Sequence, residues 1–466
     1  MKINYKYILS AVILSFSATA MAQELNSAYF TNDFKNRHDL NPAFGNEQNY
    51  FSMPGMGNIN IGMKGNFGIG DVLFDNPLYP SGSSKKKTTF MNPNISAADA
   101  LSGFNSENKI NGGYRIALLS FGFKSFGGYS TFELNVRGDV GVNLPYELFE
   151  FAKNTGNKTY NIGDINVESK HFAEIALGHS HQINDKLRIG AKAKVLLGLA
   201  RGSFDFKNVK ADLADGNQWT ISGDAQASVS VKSVTYKSEL KDYKGKTGSY
   251  EHVTGIDVDK AGLDGMGLAV DLGAEYKITD DIKVSAALLD LGFISWKNDV
   301  QATNNAKSFT FKGFHDTSVT SDGNNTIDDQ TDDYSDQISD FANLQDKGDK
   351  GSKKTGIGAT MNVGCEYVLP MYRPLSVGLL CSSRFNGDYS WTEGRLSANI
   401  APLKWINGGV NLAVGTYGTS FGWIINIHPS AVNLFIGMDH VVTKCSKELI
   451  PLNSNASVSM GLSFAW

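Results

Sequence analysis

The last twelve residues, Asn455-Ala456-Ser457-Val458-Ser459-Met460-Gly461-Leu462-Ser463-Phe464-Ala465-Trp466, decide how the rest of the chain is read. Ala456, Val458, Met460, Leu462, Phe464 and Trp466 are apolar, and Asn, Ser, Gly or Ala stands at every position between them. Successive side chains of a strand point to opposite faces, so this is a strand with one apolar face and one face of small, mostly polar residues. Strands of soluble sheets are usually about 5–6 residues long, whereas a tilted strand crossing a bilayer needs about 9–11. This segment has the second length and ends on an aromatic side chain.

The same pattern recurs upstream. Phe132, Leu134, Val136, Val140 and Val142 alternate with Glu133, Asn135, Arg137 and Asp139. Leu187, Ile189, Ala191, Ala193, Val195 and Leu197 alternate with Arg188, Gly190, Lys192 and Lys194, and Leu268, Val270, Leu272 and Ala274 with Asp271, Gly273 and Glu275. One face suits hydrocarbon; the other carries both signs of charge and suits water or a polar plug. The expected lumen-lining set is therefore Glu133, Arg137, Asp139, Lys192, Lys194, Asp271 and Glu275. Short turns, such as Asn184-Asp185 and Asp280-Asp281, separate some segments, and long stretches over 71–107, 143–167, 235–264 and 298–354 separate others. Short periplasmic turns and long external loops characterise outer-membrane barrels. The fold expected is an all-β, antiparallel transmembrane barrel of about 16 strands over 57–466. It falls to 14 if the weakest hairpin, 203–213 with 217–233, is not part of it. Closure is required because nothing in the bilayer satisfies an open sheet edge.

Composition agrees. Gly is abundant at 49 of 466 residues, Pro is scarce at 11, charged residues are 19% and aromatic residues 11%. That excludes intrinsic disorder. After the first two dozen residues no apolar run approaches the ~20 residues of a spanning helix. A net charge of -4 gives no sign of nucleic-acid binding. At the start, Lys2 and Lys6 precede an apolar core over Tyr7–Phe16 and the small-residue triplet Ala20-Met21-Ala22. This is a signal peptide over 1–22, cut after Ala22 and sending the chain to the cell outer membrane. The three cysteines, Cys365, Cys381 and Cys445, make no disulfide framework; whether Cys365 and Cys381 pair across their hairpin is open.

The arm over 23–56 carries Asn41-Pro42-Ala43 just before the first strand, together with Tyr29, Phe30, Phe34, Phe44 and Phe51. With Gly267-Leu268-Ala269-Val270-Asp271-Leu272-Gly273-Ala274 and Leu289-Asp290-Leu291-Gly292-Phe293-Ile294-Ser295-Trp296, this segment resembles a Bacteroidota-type outer-membrane barrel family of unknown function. That family is related to barrels similar to long-chain fatty-acid transporters. The resemblance implies that Asn41, Pro42 and Ala43 fold into the lumen as a hatch. It also implies that Phe464 and Trp466 form the signal read by the barrel insertion machinery.

Motifs for chemistry fail when checked. Gly245-Lys246-Thr247 has Leu240 where a phosphate loop needs Gly. Gly178-His179-Ser180-His181 lacks the closing Gly of a nucleophile elbow. His179 and His181 share one strand face, as an interfacial pair would. Asp322, Asn324, Asp328 and Asp333 have the spacing of a calcium loop, but Ile327 occupies the sixth position, which requires Gly. The acidic stretch 316–350 is read as a solvated external loop. Short helices are expected over 95–104 and 146–153.

The expectation is a monomer that is not an enzyme, with no catalytic residue, metal or cofactor, whose partners are outer-membrane lipid, the insertion machinery and a small amphipathic ligand. Its function is passive passage or binding of that ligand. The alternative is an envelope scaffold, or a secretion or gliding accessory, whose external loops bind protein or polysaccharide. The lumen discriminates: a continuous tunnel marks transport, and a lumen filled by the arm and by salt-bridged side chains marks a scaffold.

Overall fold

The computed structural model describes residues 24–79, 87–214, 216, 218–260, 262–317, 325–441 and 455–466. The signal segment and Cys445 lie outside the described residues. Fourteen antiparallel strands close on themselves. β1 is interrupted, Tyr50–Ser52 then Ile59–Gly65. β2 is Glu107–Ser125, β3 Gly128–Pro145, β4 Thr159–Gln182 and β5 Leu187–Asp212. β6 is Gly265–Lys277, β7 Ile282–Trp296, and β8 runs Lys353–Gly356 then Ala359–Val368. β9 is Leu375–Phe385, β10 Trp391–Leu403 and β11 Ile406–Gly415. β12 is Gly418–Ile427, β13 Val432–Met438 and β14 Ala456–Ala465. β1 closes the ring between β14 and β2, with Phe51 opposite Phe464, Ile61 opposite Val458 and Ile59 opposite Ile116. Asn49 and Trp466 exchange both backbone hydrogen bonds at 3.1 Å, which ties the chain end to the start of the barrel.

The burial pattern is inverted relative to a soluble protein. Leu268, Val270 and Leu272 are exposed on the outer face of β6, while Asp271 between them is buried. Leu396, Leu412, Val414, Leu434, Ile436, Met460 and Phe464 continue the outward apolar belt, and Glu133, Lys192, Arg395, Asn411 and Ser459 face inward and are buried. A band of this kind pays no penalty only against hydrocarbon. Tyr276, Tyr372, Trp405 and Trp466, all exposed, rim its periplasmic edge.

The hairpin over 203–213 and 217–233 is not a barrel hairpin, so the ring takes the lower of the two expected counts. Residues 203–212 simply prolong β5, and Trp219–Val231 pairs with that prolongation outside the ring. Val300–Asn304 and Ser308–Phe311 extend the same external sheet. Period two persists through the belt edge into this sheet, so alternation alone does not mark where the membrane stops.

The long external segments are folded. The helices at Ala97–Leu101 and Tyr146–Lys153 meet in one apolar cluster, with Phe104 stacked on Phe149 at 3.8 Å. The acidic stretch contains a helix, Ile327–Ala342, capped by Thr326 and Asp329, in place of an open loop. Cys365 and Cys381 are free and exposed; Cys365 lies opposite Leu379 and Cys381 opposite Val363, so the two are not cross-strand partners.

Candidate functional site

The arm from Glu24 occupies the lumen. It turns through two short 3-10 segments, Asn26–Ala28 and Arg37–Asp39. The Asn41 side chain organises the next turn: its Oδ1 accepts from Ala43 N–H at 2.9 Å, and its Nδ2 donates to the carbonyls of Ala274 and Ala286 at 3.3 Å. Pro42 follows where the wall has no side chains. A Cβ on Gly190 would stand 2.1 Å from the Pro42 carbonyl oxygen, and one on Gly273 2.0 Å from Asn41 Oδ1. Asn41, Pro42 and Ala43 thus dock backbone-close against β5 and β6, the approach that glycine permits.

Below this contact Leu25, Tyr29, Phe30, Phe34, Leu40 and Phe44 pack on Leu380, Ile424 and Phe435, inward residues of β9, β12 and β13. Gly378 of β9 leaves room for the Phe30 ring, which would lie 2.2 Å from an added Cβ. The arm is held by a core of soluble-protein type inside the barrel.

Next comes a layer of charge. Asp39 accepts from Arg115 at 3.0 Å and from Lys192 at 2.9 Å. His38 Nδ1 is 2.9 Å from Glu133, which also accepts from Arg115 at 2.7 Å, and Glu24 pairs with Arg115. Beside it Arg137 donates to Glu174 at 2.8 Å and to Asp290 at 2.7 Å, and Lys194 reaches Asp271 at 2.7 Å and Asp290 at 2.6 Å. Asp290 adopts a left-handed φ of 58°, which places a strand bulge there, and its N–H donates to Asp271 at 2.7 Å. Asp and Asn are the non-glycine residues that best tolerate this conformation. Two further bridges cross the lumen from wall to wall: Asp139 of β3 to Arg384 of β9 at 3.0 Å, and Lys64 of β1 to Glu393 of β10 at 3.1 Å.

His38, Asp39 and Glu133 could by geometry offer ligand atoms within 4.8 Å of one another. Arg115 and Lys192 already neutralise that cluster, so a metal ion there would meet two fixed cations; the residues do not fit a metal.

The arm and the wall together enclose a cavity of about 40 Å³. Glu24, Asn26 and Asp39 form the arm's side of it; Tyr114, Leu289, Trp391 and the charged groups of the network form the rest. Such a space accommodates a few waters.

Of the expected lumen residues, Glu133, Arg137, Lys192, Lys194 and Asp271 meet in one network. Asp139 stands apart from it, bound to Arg384 across the lumen. Glu275 is half-buried, opposite Arg188 toward the periplasmic end. Sequence reading missed Glu24, Asp39, Arg115, Glu174, Asp290, Lys64, Glu393 and Arg395. Arg115 and Glu174 share inward parity with their neighbours Gly113 and Ala176, a signal that was available; the arm's acids carried none. Of the calcium-loop residues, Asp322 and Asn324 lie outside the described residues. Asp328 and Asp333 stand on the helix five residues apart, and that spacing rotates them by about 140° onto different faces. Phe464 and Trp466 are exposed on the outward face.

The chain belongs to a family of unknown function (DUF5723), whose sequence model matches residues 42–439. No curated protein sequence matches it significantly. Among solved structures, the chain is similar to the Pseudomonas putida toluene transporter TodX, at 10% identity over 96% of each chain with a TM-score of 0.41. It is also similar to a Pseudomonas aeruginosa FadL homologue, at 10% identity over 96% of this chain and 98% of that one, TM-score 0.40. The translocator domain of the autotransporter NalP from Neisseria meningitidis matches at 8% identity over the full length of both, TM-score 0.34.

Proposed function

We propose that this member of the family is an outer-membrane barrel that binds a small amphipathic molecule in its lumen and admits it past a gate formed by the N-terminal arm. The outward apolar belt with its aromatic rim supports the membrane location. One observation supports the gate: the floor of the luminal cavity is made by Glu24, Asn26 and Asp39, all on the arm, so movement of the arm enlarges the cavity without any change in the wall. The lining sets Trp391, Tyr114 and Leu289 beside arginine and carboxylate groups, which suits a molecule with an apolar body and a polar end.

A second reading, the non-transporting scaffold, is favoured by the bridges Asp139–Arg384 and Lys64–Glu393, which link wall strands across the lumen independently of the arm. The folded external domain would then be the working surface. The test is chemical. The barrel is purified from its native membrane in mild detergent, extracted with organic solvent and analysed by mass spectrometry, beside a Leu289→Glu variant. An amphipathic molecule at about one per barrel, lost from the variant, supports binding; an empty extract from both supports the scaffold.

A further inference from the structure

We propose that the external edge of the apolar belt on β5–β8 holds the phosphate headgroup of an outer-leaflet lipid, gripped by Lys232, Lys260, Lys297, Lys350 and Lys354. The inference rests on the membrane reading above. The chain brings these five lysines together from four separate segments. Trp219–Val231 descends until Val231 lies opposite Ala200, so its turn, Lys232-Ser233, reaches the belt edge. Asp259 N–H donates to the Ser233 carbonyl at 3.3 Å, which seats Lys260 beside that turn. Lys297 N–H donates to the Asp264 carbonyl at 2.6 Å, and Lys350 N–H to that of Asp299 at 3.0 Å. Lys354 lies opposite Ser295, the last outward position of β7.

All five are exposed, and among the described residues none has an ion pair. Exposed Lys186 and Lys404 at the periplasmic edge have no ion pair either, so it is the convergence of the five on one stretch of the belt edge that sets them apart. The nearby acids are mostly committed: Asp264 is buried and bound to Asn298, and Asp349 accepts from the N–H groups of Asp299 and Gly351. Asp259 is the exposed exception. Directly beneath the lysines the belt presents Leu263, Met266, Leu268, Leu291 and Phe293, and Lys354 Nζ sits 3.6 Å over the Phe293 ring. At the same level on the far side of the ring the outward residues are Phe385, Thr392, Thr416 and Thr419. Unpaired cations above hydrocarbon-facing side chains match acyl chains joined to an anionic head, since basic clusters at a membrane surface attract anionic lipid. The continuity of this cluster with the belt selects a lipid over a soluble acidic partner.

The test uses the full chain, refolded in dodecyl maltoside and mixed separately with diphosphoryl lipid A, dephosphorylated lipid A and inorganic phosphate. Native mass spectrometry reads what is retained. The proposal expects diphosphoryl lipid A to be retained, the dephosphorylated form to be retained at least tenfold less, and the Lys297→Glu/Lys354→Glu variant to lose the preference. A Lys186→Glu/Lys404→Glu variant at the periplasmic edge keeps it. If the double glutamate variant does not fold, Lys297→Gln/Lys354→Gln replaces it. Equal retention of the two lipids, an unchanged lysine variant, or inorganic phosphate bound as well as the lipid overturns the proposal. A chain that stays monomeric and soluble without detergent overturns the membrane reading as well, whereas a folded barrel without lipid preference overturns this inference alone.

Discussion

Asp290 shows what a single buried carboxylate does in this lumen. It neutralises Arg137 and Lys194 together, and its own backbone makes the bulge that turns it inward. A buried ion pair contributes little compared with an apolar pair of the same size, but removing one partner strands the other and costs about 3–5 kcal/mol. Asp290→Asn keeps the left-handed backbone and removes the charge, so it isolates that effect. It is expected to lower stability by that amount in urea titrations of the barrel refolded in lipid vesicles. At the lipid face the argument reverses. Leu462 faces outward in mid-strand, and Leu462→Arg should cost about 2–4 kcal/mol. Met371→Arg, in a periplasmic turn where Met371 is 92% exposed, should cost little. Folded yield, read from the gel shift between boiled and unboiled samples, checks both. Ser459 is not a neutral position for the same comparison: it is buried against a filled lumen, so arginine there would collide with packed neighbours.

At the scale of elements, the sequence reveals strands far better than it reveals their limits. The face assignment of β14, read from alternation alone, agrees with the burial of Ser459, Gly461 and Ser463 against exposed Met460 and Phe464. The inward charges Glu133, Arg137, Lys192, Lys194 and Asp271 were legible for the same reason. Their partners Asp39 and Glu24 were not, because the arm is irregular and has no period from which a direction follows. The external domain was read as loops because its short strands and its polar helix, Ile327–Ala342, are stabilised by contacts distant in sequence. One such contact is specific: Asp336, buried on this helix, accepts from the N–H groups of Lys244 and Gly245 at 2.8 Å, at the tip of the hairpin formed by Val234–Asp242 and Ser249–Val258. Next to it Tyr243 donates to Asp340 at the helix end; burial and that carboxylate push the phenol up to about 12. Asp336→Ala removes both acceptors. Hydrogen exchange at the amides of Lys244 and Gly245 should then accelerate by at least tenfold, with β12 and β13 unchanged, because the hydrogen bonds to a charged acceptor lost here are worth about 1.5–3 kcal/mol.

For the whole molecule, the question is whether the arm or the wall closes the lumen, and the two barriers can be removed one at a time. Strand closure begins at Asn49, which is hydrogen-bonded to Trp466, so deletion of residues 23–48 leaves the ring of fourteen strands intact. It empties the periplasmic half of the lumen and frees Arg115 and Lys192 from Asp39, in a space that water then fills. A barrel of this size without a plug has room for an aqueous channel. The bridges Asp139–Arg384 and Lys64–Glu393 stay in place, however, and still span the wall. Single-channel recording in planar bilayers should therefore give a graded series: no conductance from the full chain, small and flickering conductance from the deletion, and larger, steadier conductance when Arg384→Ala is added to the deletion. A deletion that conducts fully by itself makes the arm the sole gate. If both truncated forms stay silent although their gel shifts show folded barrels, packed wall side chains close the lumen, and the scaffold reading replaces the gated one.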